Sequence, residues 1–104
     1  MAALTSKQRQ FLRRLAHALT PLVRIGKAGL TDGVVAETRH ALQAHELIKV
    51  RIDVEDRAQR RDVIGRLAAD TEAHLVGSVG KVAVLYRARE EDPRIVLPGT
   101  EENP

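Results

Sequence analysis

The chain has no cysteine and no tryptophan, and Phe11 and Tyr86 are its only phenylalanine and tyrosine. Without cysteine there is neither a disulfide framework nor a thiolate metal site, which fits a reducing compartment. No apolar run approaches the roughly 20 residues that span a bilayer. The start of the chain lacks the basic stretch and apolar core of a secretory signal, so a cytoplasmic address is expected. Acidic residues are also missing from the first 31 positions, the first being Asp32.

At 104 residues, with 43% hydrophobic and 30% charged side chains, the chain has the size and composition of one folded domain. Its core must be built from Leu, Val, Ile and Ala. The net charge is only +3, but it is unevenly spread. Residues 1–29 carry Lys7, Arg9, Arg13, Arg14, Arg24 and Lys27. Residues 1–89 hold sixteen basic and nine acidic groups, a net +7, while residues 90–104 are net −4. A basic body points to a polyanionic partner, although a solvated basic face that aids solubility would look the same.

Thr5-Ser6-Lys7-Gln8 has the form of a capping box. Phe11, Leu12, Leu15 and Leu19 follow at helical spacing, predicting a helix over Ser6–Ala18 that ends before Pro21. Leu22–Ile25 reads as a short strand. Thr31 or Asp32 can cap a second helix reaching Ala44, with Val34, Val35, Thr38, Ala41 and Leu42 turned inward. Leu47–Ile52 alternates apolar and basic residues, as a half-buried strand does. A third helix is expected over Arg57–Thr71, with Val63, Ile64, Leu67 and Ala68 inward. Leu75–Val79 and Val82–Tyr86 should form a hairpin around Gly80-Lys81. The order α-β-α-β-α-β-β predicts one compact α/β domain over residues 1–89, a four-stranded mixed sheet covered by helices. Residues 90–104 read as a loose acidic tail, in which Ile95–Leu97 could add a short edge strand.

The candidate site is Gly26-Lys27-Ala28-Gly29, between a strand and a helix start. Two glycines permit unusual backbone angles and close approach by a ligand. The N–H groups at a helix start favour an anion, Lys27 adds a charge, and Arg24 lies just before the loop. These features describe a phosphate seat, though a Gly-x-x-Gly by itself is often a plain turn. It is neither a Walker loop nor a dinucleotide fingerprint. KH domains clamp RNA backbone with such a loop. Arg9 and Arg13, one helical turn apart, together with Lys7, would extend the site as a basic face of the first helix. Base stacking normally uses several aromatics, so their scarcity favours contact with backbone and shape over RRM- or OB-type reading. Lys49 and Arg51, on the outer face of their strand, read either as solvated charges or as part of an RNA surface, the first slightly favoured. The four histidines lack ligand spacing, and no nucleophile–base pair stands out, so no metal, cofactor, small-molecule substrate or enzymatic activity is expected. His45-Glu46 reads as a turn that positions the next strand.

Several motifs in order carry a family resemblance: Leu15-Ala16-His17, Pro21, Ile25-Gly26-Lys27-Ala28-Gly29-Leu30-Thr31, His45-Glu46-Leu47-Ile48-Lys49-Val50, and Gly80-Lys81 with Leu85-Tyr86-Arg87. Over about residues 4–87 the chain resembles the CRM domain, the CRS1/YhbY-type RNA-binding module, and its stand-alone bacterial YhbY-like members in particular. The resemblance implies a fold akin to the C-terminal domain of translation initiation factor three. It further implies RNA binding through Gly26, Lys27, Ala28 and Gly29, and association with ribosomal RNA in precursors of the large ribosomal subunit. The acidic tail lies outside the family pattern. A monomer is expected. An adaptor docking on ribosomal proteins rather than RNA is the alternative that the sequence leaves open.

Overall fold

The computed structural model describes residues 3–99. Seven elements follow in the expected order: α1 (Ser6–Ala16), β1 (Pro21–Ile25), α2 (Asp32–His45), β2 (Leu47–Ile52), α3 (Arg57–Asp70), β3 (His74–Val79) and β4 (Val82–Tyr86). The sheet order is β1-β2-β4-β3. β1 runs parallel to β2, joined by the α2 crossover, while β2–β4 and β3–β4 are antiparallel. The expected single α/β domain with a mixed four-stranded sheet is the fold observed.

Local signals set the helix starts. The Thr5 hydroxyl accepts the Gln8 N–H at 3.1 Å, and the Gln8 amide oxygen accepts the Thr5 N–H at 3.0 Å, closing the capping box. The Thr31 hydroxyl caps α2 by accepting from Val34 N–H, and the Asp56 carboxylate caps α3 by accepting from Ala58 N–H. α1 stops two residues short of the predicted end. A turn in which Leu19 N–H donates to Ala16 C=O leads instead toward Pro21.

The sheet separates two apolar clusters. On one face, Ile48, Val50 and Ile52 of β2 are fully buried beneath α2 and α3, with Val23, Ile25, Leu42, Ile64, Leu67, Ala83 and Leu85. On the other, Leu12 and Ala16 of α1 cover Leu47, Val76 and Tyr86. α1 is fastened to β3 by Arg9, and Arg13 lies alongside, at an irregularity in the β3–β4 register between Leu75 and Gly77. The Arg9 guanidinium donates to the carbonyls of Leu75 and Val76, the latter at 3.0 Å. Gly77 has no side chain to obstruct Arg13, whose Nε lies 3.0 Å from where a Cβ would stand.

The segment after Arg89 departs from a loose tail. Ile95 and Leu97 pack against the α1 cluster, and Pro98 C=O accepts from the Gln8 side chain at 3.2 Å. It adds no strand, because the N–H groups of Arg94 and Ile95 go to the Glu46 carboxylate at 2.8 and 3.0 Å. Arg89 N–H donates to the other Glu46 oxygen at 2.9 Å. Glu46, only 1% exposed, ends α2 at φ +65°. The turn expected at His45-Glu46 is therefore also a clasp for the C-terminal segment. Residues 100–104, with Glu101 and Glu102, lie outside the described residues.

Burial opposes ionisation of Glu46, but the three N–H donors and the nearby Arg89 charge outweigh it and hold the carboxyl below its usual range. A carboxyl held lower in the folded than in the unfolded chain stabilises the fold above the unfolded value of about 4.3, and that stability is lost as pH falls through the folded value. Thermal melts from pH 7 to 3 should show this loss, and Glu46→Gln should flatten it. The flattening is partial, because Lys81 and Arg24 also hold Glu55 and Asp53 low. Glu46→Ala, which strands three N–H groups, should cost about 2–4 kcal/mol in urea unfolding.

The two α1 arginines should separate in the same assay. Arg9→Ala should cost about 1–2 kcal/mol through its two carbonyl partners. Arg13→Ala, at an exposed position, should stay within about 0.5 kcal/mol of the parent.

Candidate nucleic-acid interface

β1 ends at Ile25, and the chain reverses at once: Gly29 N–H donates to Gly26 C=O at 3.0 Å, leaving Lys27 and Ala28 exposed at the tip. The two glycines differ. Gly29 has φ +72°, a left-handed conformation that a side chain would strain. Gly26 lies outside that region, and a Cβ on it would meet nothing within 4 Å. The fold therefore demands glycine at 29 and not at 26. A bare Gly26 leaves the backbone approachable from outside.

The helix start behind the loop is less open to an anion than the sequence suggests. The Thr31 hydroxyl already takes Val34 N–H, and Asp32 puts the chain's own carboxylate in the first turn. A bound phosphate would find its contacts at the loop tip rather than at the axis of α2.

Arg24 points to the sheet face that carries α1, because its neighbours Val23 and Ile25 enter the opposite core. It pairs in register with Arg51 of β2. Both guanidinium groups reach Asp53, whose carboxylate accepts from Arg24 Nε and, at 2.9 Å, from Arg51 Nε. The Arg24 hydrogen bond, reinforced by Arg51, holds the Asp53 carboxyl below its usual range against some desolvation. Asp53 N–H donates to Ile25 C=O at 2.8 Å, so the group that orients these cations is tied to the base of the loop.

Lys49, two residues before Arg51, shares this face. The register places Lys49 beside Val84 and Val84 beside Gly77, over which Arg13 lies. One row further up stand Arg24, Arg51, Val82 and Val79. α1 covers Leu47, Val76 and Tyr86, and Val84 packs against that cluster, whereas Lys49, Arg51 and Val82 stay half-exposed and Val79 is 85% exposed.

The eight residues expected at the site thus divide. Gly26, Lys27, Ala28, Gly29 and Arg24 meet at one end of the sheet, and Arg13 joins the same face. Arg9 turns inward to β3 carbonyls and does not form a joint outer face with Arg13. Lys7 lies with Arg14, two turns on, on the side of α1 away from buried Leu12. Lys49 and Arg51, which the sequence leaves between solvated charge and RNA surface, lie on the face that Arg24 and Arg13 share. Alternation along β2 sends them both outward, but only the β1–β2 register sets them beside Arg24.

His74 stacks on Tyr86 with ring centroids 6.1 Å apart, and burial, then the Arg9 charge, lowers its pKa. Among the described residues no group of three His, Asp or Glu could hold a metal, and no helix is long and apolar enough to cross a membrane.

Residues 4–87 match the family pattern described as the CRS1 / YhbY (CRM) domain. The chain is 46% identical over 98 residues to an RNA-binding protein of Haemophilus influenzae, spanning 94% of this chain and 98% of that one. It is 39% identical over 95 residues to a probable RNA-binding protein of Bacillus subtilis, spanning 91% and 99% of the two chains. The solution structure of a hypothetical protein of Staphylococcus aureus superposes with a TM-score of 0.80 at 34% identity, covering 91% of this chain and 99% of that one. A pattern matched from α1 through β4, with relatives aligned over nearly their whole length, leaves one conclusion: the chain belongs to the CRS1/YhbY (CRM) domain family.

Proposed function

We propose that this protein binds RNA through the Gly26–Gly29 loop, with Lys27 at the tip and Arg24 at the base contacting phosphates, and that it acts by binding rather than by catalysis. The observation that carries the reading is Gly26: the fold leaves room for a side chain there, yet the position holds none, next to an exposed lysine. The names of the relatives support RNA as the partner. Arg13 belongs to the site, whereas Arg9 serves the α1–β3 junction and Lys7 is a peripheral charge. The family resemblance extends the proposal to ribosomal RNA in precursors of the large subunit, bound by a monomer in the cytoplasm. Recovery of large-subunit precursor RNA by crosslinking in cells would test that extension. Loss of the ribosomal association on RNase treatment would separate it from docking on ribosomal proteins.

Lys27→Asp with Ala28→Asp keeps both glycines and therefore the turn. Acidic groups near the start of α2 do not oppose its dipole, so circular dichroism should show an intact fold. RNA affinity should fall about tenfold or more, because two negative charges replace one positive charge at the phosphate seat. Wild-type affinity in the folded variant would make the loop a structural turn only.

Salt dependence gives an independent check. With about four phosphates neutralised, log K against log salt should slope between about −2 and −4 in filter binding. A flat slope would exclude a phosphate-dominated interface.

A further inference from the structure

We infer that the half of the sheet face left open by α1 is a second contact surface continuous with the glycine loop, and that it seats the backbone of double-helical RNA. The inference rests on the loop reading and names the class of RNA that the enlarged site takes.

Charge comes first. Arg13, Arg24, Lys49 and Arg51 outnumber Asp53, the carboxylate that pairs with two of them, which leaves the face cationic. Asp53 fixes Arg24 and Arg51 side by side rather than removing them from solvent, since their side chains remain 71% and 44% exposed. Such a pair presents further N–H donors to phosphate oxygens.

Shape comes second. Four strands at about 4.8 Å spacing place Arg24 and Val79 about 14 Å apart along one row. The Lys49–Val84–Gly77 row lies about 7 Å below it, two residues along each strand. This surface is cationic toward β1 and apolar at Val79 and Val82, with Arg13 returning charge over Gly77. Val79 is 85% exposed, with no covering element among the described residues.

Chemistry decides between forms of RNA. The chain's two large aromatics, Phe11 and Tyr86, both sit in the cluster under α1, so the open half offers no ring on which an unpaired base could stack. What it offers is donors for phosphates and small aliphatic groups for ribose, which fit the wide, shallow minor groove and backbone of an A-form helix.

The test uses the full chain with an RNA duplex of about 16 base pairs and each of its single strands. Lys49→Gln and Val79→Glu change side chains that no described ion pair uses, and circular dichroism with thermal melting verifies the fold. Each should weaken duplex binding several-fold, their combination tenfold or more, while Val79→Lys should bind at least as tightly as wild type. Wild-type affinity in both Lys49→Gln and Val79→Glu, with Lys27→Asp/Ala28→Asp still defective, would overturn the sheet surface and leave the loop reading standing. Wild-type affinity in all of them would overturn both. Equal weakening by Val79→Glu and Val79→Lys would refute charge complementarity at this surface. Tighter binding of the single strands than of the duplex would overturn the assignment to double-helical RNA.

Discussion

Successive side chains of a β-strand point to opposite faces, and in β2 that geometry governs both halves of the molecule. Ile48, Val50 and Ile52 are drawn into the core under α2 and α3, so Lys49 and Arg51 must stand on the other side. A slip of one residue would bury two charges and expose three isoleucine or valine side chains, so the register is strongly specified. β2 is also an inner strand, paired with β1 on one side and β4 on the other. Its two cations are therefore held near the middle of the sheet, and the β1 partner of Arg51 is Arg24. A basic surface follows from the packing of an apolar core on the reverse face.

What keeps part of that surface open is the placement of α1. The helix carries a narrow apolar stripe, with Leu12 and Ala16 buried, and covers the part of the sheet around Leu47, Val76, Val84 and Tyr86 but not Val79. Its seat is fixed by backbone chemistry at β3, where Arg9 satisfies two carbonyls at the register irregularity and Gly77 admits Arg13. The C-terminal segment closes the same cluster from the other side through Ile95 and Leu97, held by the buried Glu46 carboxylate. A buried anion is tolerated there because three N–H groups and a nearby arginine compensate its desolvation.

The loop and the sheet face meet at the carboxyl ends of β1 and β2. Asp53 links them, its N–H on the last carbonyl of β1 and its carboxylate on Arg24 and Arg51. This one residue orients two cations at the foot of the glycine turn, so the turn and the charged rows behave as one surface. The likeness to relatives named as RNA-binding or probable RNA-binding proteins runs over nearly the whole chain, as suits a proposed binding surface that is inseparable from the fold.

Short-range chemistry determined what the sequence by itself could show. Capping at Thr5 and Thr31, helical spacing in α2 and α3, alternation in β2 and the glycine turn each depend on residues within a few positions of one another. Those rules gave all seven elements, the inward residues and the loop. The tertiary structure alone decided where the charges gathered. Nothing local distinguishes Arg9, bonded to carbonyls 66 and 67 residues away, from Arg13, which stays exposed. Nor does any local pattern set Arg51 beside Arg24, or send the Glu46 carboxylate to N–H groups more than forty residues on. Such partners are chosen by strand order and by the need to satisfy every buried polar group, conditions that exist only once the whole chain has packed.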